Sequence, residues 1–247
     1  PKVQGYLKVL EKGRKIMKIL FVMPKVGSWA THGKHVAPNQ LYAHWAAYLR
    51  EKGYEDVSVI DCKALEIPMD EMVQMVKDKN PDIVVMGEQL HSYGGYGVLR
   101  HFNEASRKIK AALPKTKIIF GGLWYSAMPT HTLDTNPAVD YIVMGEEESF
   151  FDLIDTLAKN KPVKDVAGVA SRVDGKSVMG PHKPLLQDLD SLPLPAYDLF
   201  PMDKYVGHTH WKPFVDMVTS RGCPSACTFC YEWDQYDPRH PSDFLTW

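Results

Sequence analysis

The sequence predicts an α/β fold: a five-stranded parallel sheet of the flavodoxin-like or Rossmann-like kind, then a hairpin and a connector leading into the first strand of a further domain. Three observations carry this. Short apolar runs alternate with amphipathic stretches from residue 18 to about 160, the pattern of parallel strands covered by helices on both faces. An Asp-Gly turn then joins two strand-like segments. Five prolines follow between residues 181 and 201.

The expected strands are KILFVMP from Lys18, VSVIDCK from Val57, DIVVMGE from Asp82, KIIFGGL from Lys117 and YIVMGEEE from Tyr141. Between the first two, Leu41, Trp45, Tyr48 and Leu49 share one helical face that ends at Gly53. Met72, Met75 and Val76 mark a second helix. Leu99, Phe102, Ser106, Ile109 and Leu113 mark a third, which stops before Pro114. The fifth strand runs into a helix bearing Phe150, Phe151, Ile154 and Leu157, with Glu146, Glu147 and Glu148 near the N-terminus, where the helix dipole favours anions.

The first domain is thus expected to span 17–162, after an N-terminal extension over 1–16 that precedes a start-like Met17. VAGVASRVDGKSVMG, from Val166 to Gly180, reads as a hairpin turning at Asp174-Gly175, because that dipeptide readily supplies positive φ. Pro181, Pro184, Pro193, Pro195 and Pro201 deny ladder donors and favour an extended connector, giving a segment of hairpin and linker over 163–213. FVDMVTS, from Phe214, then reads as the first strand of an incomplete second domain over 214–247.

Bulk composition narrows the class. The 247 residues are 45% hydrophobic and 24% charged, as in an ordinary globular chain, and the formal charge of −1 provides no basic face for nucleic acid. Apolar runs such as ILFVM from Ile19 have strand length, so no membrane span is expected. Four cysteines, three of them within eight residues beside an α/β pattern, suggest a metal site in a reducing cytoplasm rather than disulfides. Cys62 stands apart and reads as a small core residue.

Cys223, Cys227 and Cys230 are spaced C-x3-C-x2-C. Three thiolates on one loop can hold three irons of a cubane and leave the fourth open, whereas a closed structural site needs four ligands. Gly222, Ser225 and Ala226 permit the tight curvature and Pro224 stiffens it. A zinc knuckle completed by His208, His210 or His240 is the alternative, although only one regular zinc-binding arm is present.

At these residues the chain resembles the radical S-adenosylmethionine (SAM) enzymes, whose motif has the same cysteine spacing with an aromatic residue before the last cysteine, here Phe229. The resemblance implies a 4Fe-4S cluster on Cys223, Cys227 and Cys230, S-adenosyl-L-methionine on the open iron with Phe229 near its adenine, and reductive cleavage to a 5′-deoxyadenosyl radical. It also implies a low-potential electron donor. No catalytic residue beyond the cluster ligands is expected. The family fold is a full or partial βα barrel, complete at roughly 250 residues, so the radical SAM core here reads as truncated after its cluster motif.

The preceding sheet, hairpin and connector resemble the cobalamin-binding subgroup of that family. Its marks are Gly121-Gly122 after the fourth strand, Pro129 beyond it, Gly145-Glu146 after the fifth strand, and DLDSLPLPAYDL from Asp188. The resemblance implies cobalamin near Gly121, Gly122, Gly145 and Glu146, with Glu88, Gln89, Ser92 and Tyr93 supplying polar contacts. Glycines there would admit a bulky corrin; they would equally serve to turn the chain. No Asp-x-His-x-x-Gly motif follows the first strand, and His32, His35 and His91 all lack the aspartate two places earlier, so histidine ligation of cobalt is not expected.

The expected function is the N-terminal part of a cobalamin-dependent radical SAM enzyme, a methyltransferase or a cyclase acting on an unknown substrate. The alternative is a noncatalytic cobalamin-binding module whose cysteine loop is structural or binds zinc.

Overall fold

The computed structural model describes residues 17–26, 36–87, 96–144, 146–184, 186–207, 211–218 and 221. Seven strands form one sheet in the order β2-β1-β3-β4-β5-β6-β7. They are β1 (Ile19–Met23), β2 (Val57–Asp61), β3 (Ile83–Gly87), β4 (Lys117–Gly121), β5 (Tyr141–Val143), β6 (Val169–Val173) and β7 (Lys176–Met179). The first five are parallel in the flavodoxin-like order 2-1-3-4-5, as the alternating pattern predicts.

The hairpin forms where expected, but it extends the sheet: β6 pairs antiparallel with β5, adding two strands to the five. Asp174 (φ 50°) and Gly175 (φ 78°) supply the two positive dihedrals of its turn. Arg172 on β6 fastens the hairpin by donating to the carbonyls of Leu133, Asn136 and Val139. Periodicity alone cannot show this pairing, because a polar hairpin reads the same whether it stands alone or caps an edge.

Among the described residues, six α-helices surround the sheet: α1 (Gln40–Glu51), α2 (Met69–Lys79), α3 (Tyr96–Ala112), α4 (Leu123–Ala127), α5 (Pro129–Thr135) and α6 (Glu147–Ala158). Right-handed crossovers place α1 on one face and α2 and α3 on the other; α1 packs against α6, and α2 against α3. Asn39 caps α1 by accepting from Tyr42 N, and α2 ends at Asn80 in the left-handed region (φ 45°). The split pair α4 and α5 was not apparent in the apolar pattern. Pro129, at the start of α5, suits a helical first position while interrupting α4.

Strands β1 and β3 are buried along their whole length, as a sheet covered on both faces requires. Between the sheet and α1, Phe21, Tyr42, Trp45 and Phe150 are essentially solvent-free; Trp45 stacks on Phe150 with ring centres 4.2 Å apart. No described helix is long and apolar enough to cross a membrane.

The strand expected from Phe214 is a correction. Its described residues, 214–218, form no strand, and Met217 is 83% exposed.

Candidate functional site

Open α/β sheets bind ligands outside the carboxyl ends of their strands, at the point where strand order reverses. Here that point lies between β1 and β3. Strand β1 stays paired with β2 as far as Met23↔Asp61, but its pairing with β3 stops at Phe21↔Val85. Past that register the strands separate, and α1 fills the gap. The Tyr42 hydroxyl donates to Val22 O at 2.9 Å and accepts from Gly87 N at 2.8 Å, bridging backbone groups that the strands no longer pair with each other. Asn39 Nδ2 donates to Gly87 O at 2.9 Å. Sequence reasoning passed over both residues, since Tyr42 looks like another apolar helix position and Asn39 like an ordinary cap.

Gly121 and Gly122, expected beside a ligand, have structural reasons of their own, and so does Gly87, which the sequence did not single out. A Cβ on Gly121 would stand 2.4 Å from Trp45 Cη2, and one on Gly87 would stand 2.6 Å from Gly121 O. Trp45 therefore occupies the space that the missing Gly121 side chain leaves. Gly122 has φ 105°, a conformation that favours glycine, and it opens α4.

Ser126 on α4 is 2% exposed, and its hydroxyl has no hydrogen-bond partner among the described residues. Such a group costs about 1–3 kcal/mol unless something meets it. An orphaned hydroxyl one helical turn after Gly122 fits a polar ligand at this end of β4.

Beyond the hairpin, the proline-rich connector is tied down along its course. Leu186 N donates to Glu146 Oε2 at 2.8 Å, Ala196 N to Ala43 O at 3.0 Å, and Arg50 pairs with Asp198 at 2.8 Å. Tyr205, wholly buried, donates to Asp61 Oδ2 at 2.8 Å at the end of β2. Val206 exchanges backbone hydrogen bonds with Val36, which follows β1. The connector thus crosses α1 and reaches the carboxyl ends of β1 and β2.

Arg221 then returns to the other side of that edge. Its Nη1 meets Glu146 Oε1 at 2.8 Å and Glu147 Oε2 at 3.0 Å, while Nη2 meets Glu147 Oε1 at 2.8 Å. The Arg221, Glu146 and Glu147 side chains are only 21%, 7% and 6% exposed. Burial alone would lower the Arg221 pKa, but Glu147 and then Glu146 outweigh it and raise it. His44 on α1 lies within their field. Burial pushes its pKa down, Glu147 opposes that shift and Arg221 reinforces it.

A second buried group collects at β2. Asp61 Oδ1 accepts from Lys63 N and Ala64 N, at 3.0 and 2.9 Å, and burial raises its pKa despite these hydrogen bonds. Burial lowers Lys63 to about 7 against the pull of Asp61 and Glu66, and pushes the Cys62 thiol up to about 12. Cys62 is a protonated core residue, matching its sequence reading.

Of the residues the sequence singles out, Gly121, Gly122 and Glu146 stand at the carboxyl ends of β4 and β5. Glu146 is tied to protein partners, and Glu147, which sequence reasoning treated only as a dipole partner, shares its guanidinium. The remaining ones, Glu88, Gln89, Ser92, Tyr93, Gly145, Cys223, Cys227, Phe229 and Cys230, lie outside the described residues, as do His32, His35, His91, His208, His210 and His240.

Comparison with known proteins agrees with this architecture. The B12-binding domain family matches residues 38–155. An uncharacterised methyltransferase of Pyrococcus horikoshii is 33% identical over 229 residues, covering 91% of this chain and 47% of its own. An anaerobic magnesium-protoporphyrin IX monomethyl ester cyclase of Rubrivivax gelatinosus is 28% identical over 88% of this chain and 39% of its own. The chain thus spans less than half the length of either relative. Among solved structures, the cobalamin-dependent S-adenosylmethionine radical enzyme OxsB with aqua-cobalamin bound superposes with a TM-score of 0.71 at 20% identity, over 90% of this chain and 29% of that one, which establishes a shared fold. The chain thus carries a match to the B12-binding domain and shares its fold with a cobalamin-dependent S-adenosylmethionine radical enzyme, while its sequence relatives include a methyltransferase and a cyclase.

Proposed function

We propose that the chain is the cobalamin-binding part of an enzyme that reductively cleaves S-adenosylmethionine at a 4Fe-4S cluster on Cys223, Cys227 and Cys230 and transfers a methyl group to a small-molecule substrate. The observation that supports this most is the return of Arg221, two residues before Cys223, to the carboxyl-end edge of the B12-binding sheet. Arg221, two residues before the cysteine motif in sequence, thus stands at the edge where an α/β sheet takes its ligand.

When bound, the cluster supplies the electron for cleavage and cobalamin supplies a carrier for the methyl group. The chain's residues supply position and shelter. Tyr42 and Asn39 fix the parted ends of β1 and β3, Gly122 and Ser126 offer backbone and a hydroxyl beside β4, and Glu88, Gln89, Ser92 and Gly145 follow β3 and β5 in sequence. Phe229 would pack against the adenine. Such a cluster would need a low-potential electron donor.

Methyl transfer is preferred over ring cyclisation because the relative at 33% identity is named a methyltransferase, whereas the cyclase stands at 28%.

Anaerobic reconstitution with iron and sulfide, followed by absorption and electron paramagnetic resonance, tests the cluster; titration with hydroxocobalamin tests the sheet. A cubane signal lost when any one of the three cysteines becomes alanine supports the proposal. Bound zinc with four protein ligands, or intact thiols that take up no iron, would replace it with a noncatalytic cobalamin-binding module. Undetectable cobalamin binding at high micromolar concentration would leave a radical enzyme with an empty sheet domain.

A further inference from the structure

We propose that Arg221 is a positioning residue, clamped by Glu146 and Glu147 so that the cysteine loop enters the sheet edge at one fixed point and the spacing between cluster and corrin is set there. The inference rests on the two-cofactor reading above and adds to it the device that registers one cofactor against the other.

The geometry is more specific than an ion pair needs. Arg221 addresses both oxygens of Glu147 with separate nitrogens, at 3.0 and 2.8 Å, and places a third contact of 2.8 Å on Glu146. Two nitrogens on two oxygens fix the plane of the guanidinium as well as its location, which a point charge cannot do. Glu146, at the N-cap position of α6, keeps its second oxygen on Leu186 N, where the connector begins, and Glu147 is the first residue of that helix.

Location gives the clamp its consequence. Glu146 and Glu147 stand three and four residues after Val143, the last residue of β5, at the carboxyl end of the parallel sheet. Arg221 stands two residues before Cys223. One side chain therefore ties the N-terminus of α6 to a point two residues before Cys223 in sequence. The opposite end of the connector is fixed independently, by Tyr205 on Asp61 and Val206 on Val36, so the segment reaching Arg221 starts from a defined place. His44 is the further titratable side chain whose field reaches the clamp.

The test uses the full chain loaded with both cofactors, with the cluster reduced and cobalamin in its paramagnetic cobalt(II) form. Power saturation of the cobalt signal reports its magnetic interaction with the nearby cluster. Arg221→Lys keeps the charge but loses the fork; Glu147→Gln weakens the clamp from the other side and guards against a folding defect in the first variant.

The expected result is unchanged iron and cobalamin content in both variants, an altered cobalt saturation profile, and turnover lowered by about 10-fold to 100-fold, as a displacement near 1 Å produces. Unchanged saturation and turnover with both cofactors present would overturn the clamp and leave the function standing. Loss of the cluster in the variants would assign Arg221 to loop folding instead, which also overturns it. Failure of the parent chain to take up either cofactor would remove the function and the clamp together.

Discussion

The two flanks of the carboxyl-end edge are closed by different chemistry. On the β2 side, a single hydroxyl, that of the wholly buried Tyr205, meets Asp61, whose other oxygen is already held by two backbone amides. On the β5 side, a forked cation sits between two carboxylates. The first closure is one hydrogen bond inside a packed aromatic site, and the second is a charge network that the surrounding protein must keep balanced. Deleting a member of each therefore has unequal results: a hydroxyl takes one bond with it, whereas a guanidinium leaves two buried anions facing each other.

The largest effect is expected at the charged flank. Arg221→Ala should destabilise the fold by about 3 kcal/mol or more, as does removal of one partner from a buried pair; urea unfolding reads it. Tyr205→Phe should cost less, about 1.5–3 kcal/mol for a hydrogen bond to a charged group, in the same assay. A Tyr205→Phe penalty exceeding that of Arg221→Ala would reverse the comparison.

The next effect is one of pH. Lys63 has its folded pKa lowered to about 7, so the unfolded chain binds the extra proton between there and 10.5, and stability should rise with pH over that window. The slope is at most about 1.4 kcal/mol per pH unit. Cys62, pushed up to about 12 from 9.0, begins to oppose it above pH 9. Lys63→Met should flatten thermal stability between pH 7 and pH 9; a slope that persists would assign the dependence to another group.

The smallest effect is expected at Arg50 and Asp198, the connector's exposed ion pair, where Arg50→Ala should change stability by about 1 kcal/mol or less. A larger loss would mean that this tie over α1 matters as much as the two flanks.

The parallel core was legible in the sequence because buried strands and amphipathic helices carry strong periodic signals: IVVMG from Ile83 and the Leu41, Trp45 and Leu49 face needed no tertiary information. The hairpin was legible as a hairpin, through Asp174-Gly175, but its pairing with β5 depends on an edge that only the folded sheet presents. Phe214 and its neighbours carried strand propensity, but their described residues form no strand, and propensity yielded.

At the site, Gly121 was singled out as a cofactor contact, and the fold gives it a packing reason, since Trp45 fills its vacant side-chain space. Glu146 was singled out on the same ground, and the fold ties it to Arg221 and Leu186. Tyr42 escaped notice, and Glu147 was read only as a helix-dipole partner, because their roles connect residues 45 and 74 positions away, and no local pattern records such a partnership.

The Tyr42 hydroxyl between Val22 and Gly87 has one more consequence. The amide of Gly87 depends for its acceptor on a helix side chain rather than on the neighbouring strand, so its exchange with solvent deuterium is coupled to the seating of α1. The amides of Val84 and Val85, within the paired ladder, keep time with the sheet as a whole. The difference between the two rates is an intrinsic gauge of how often the gap between β1 and β3 opens, readable on the unlabelled protein and without any cofactor.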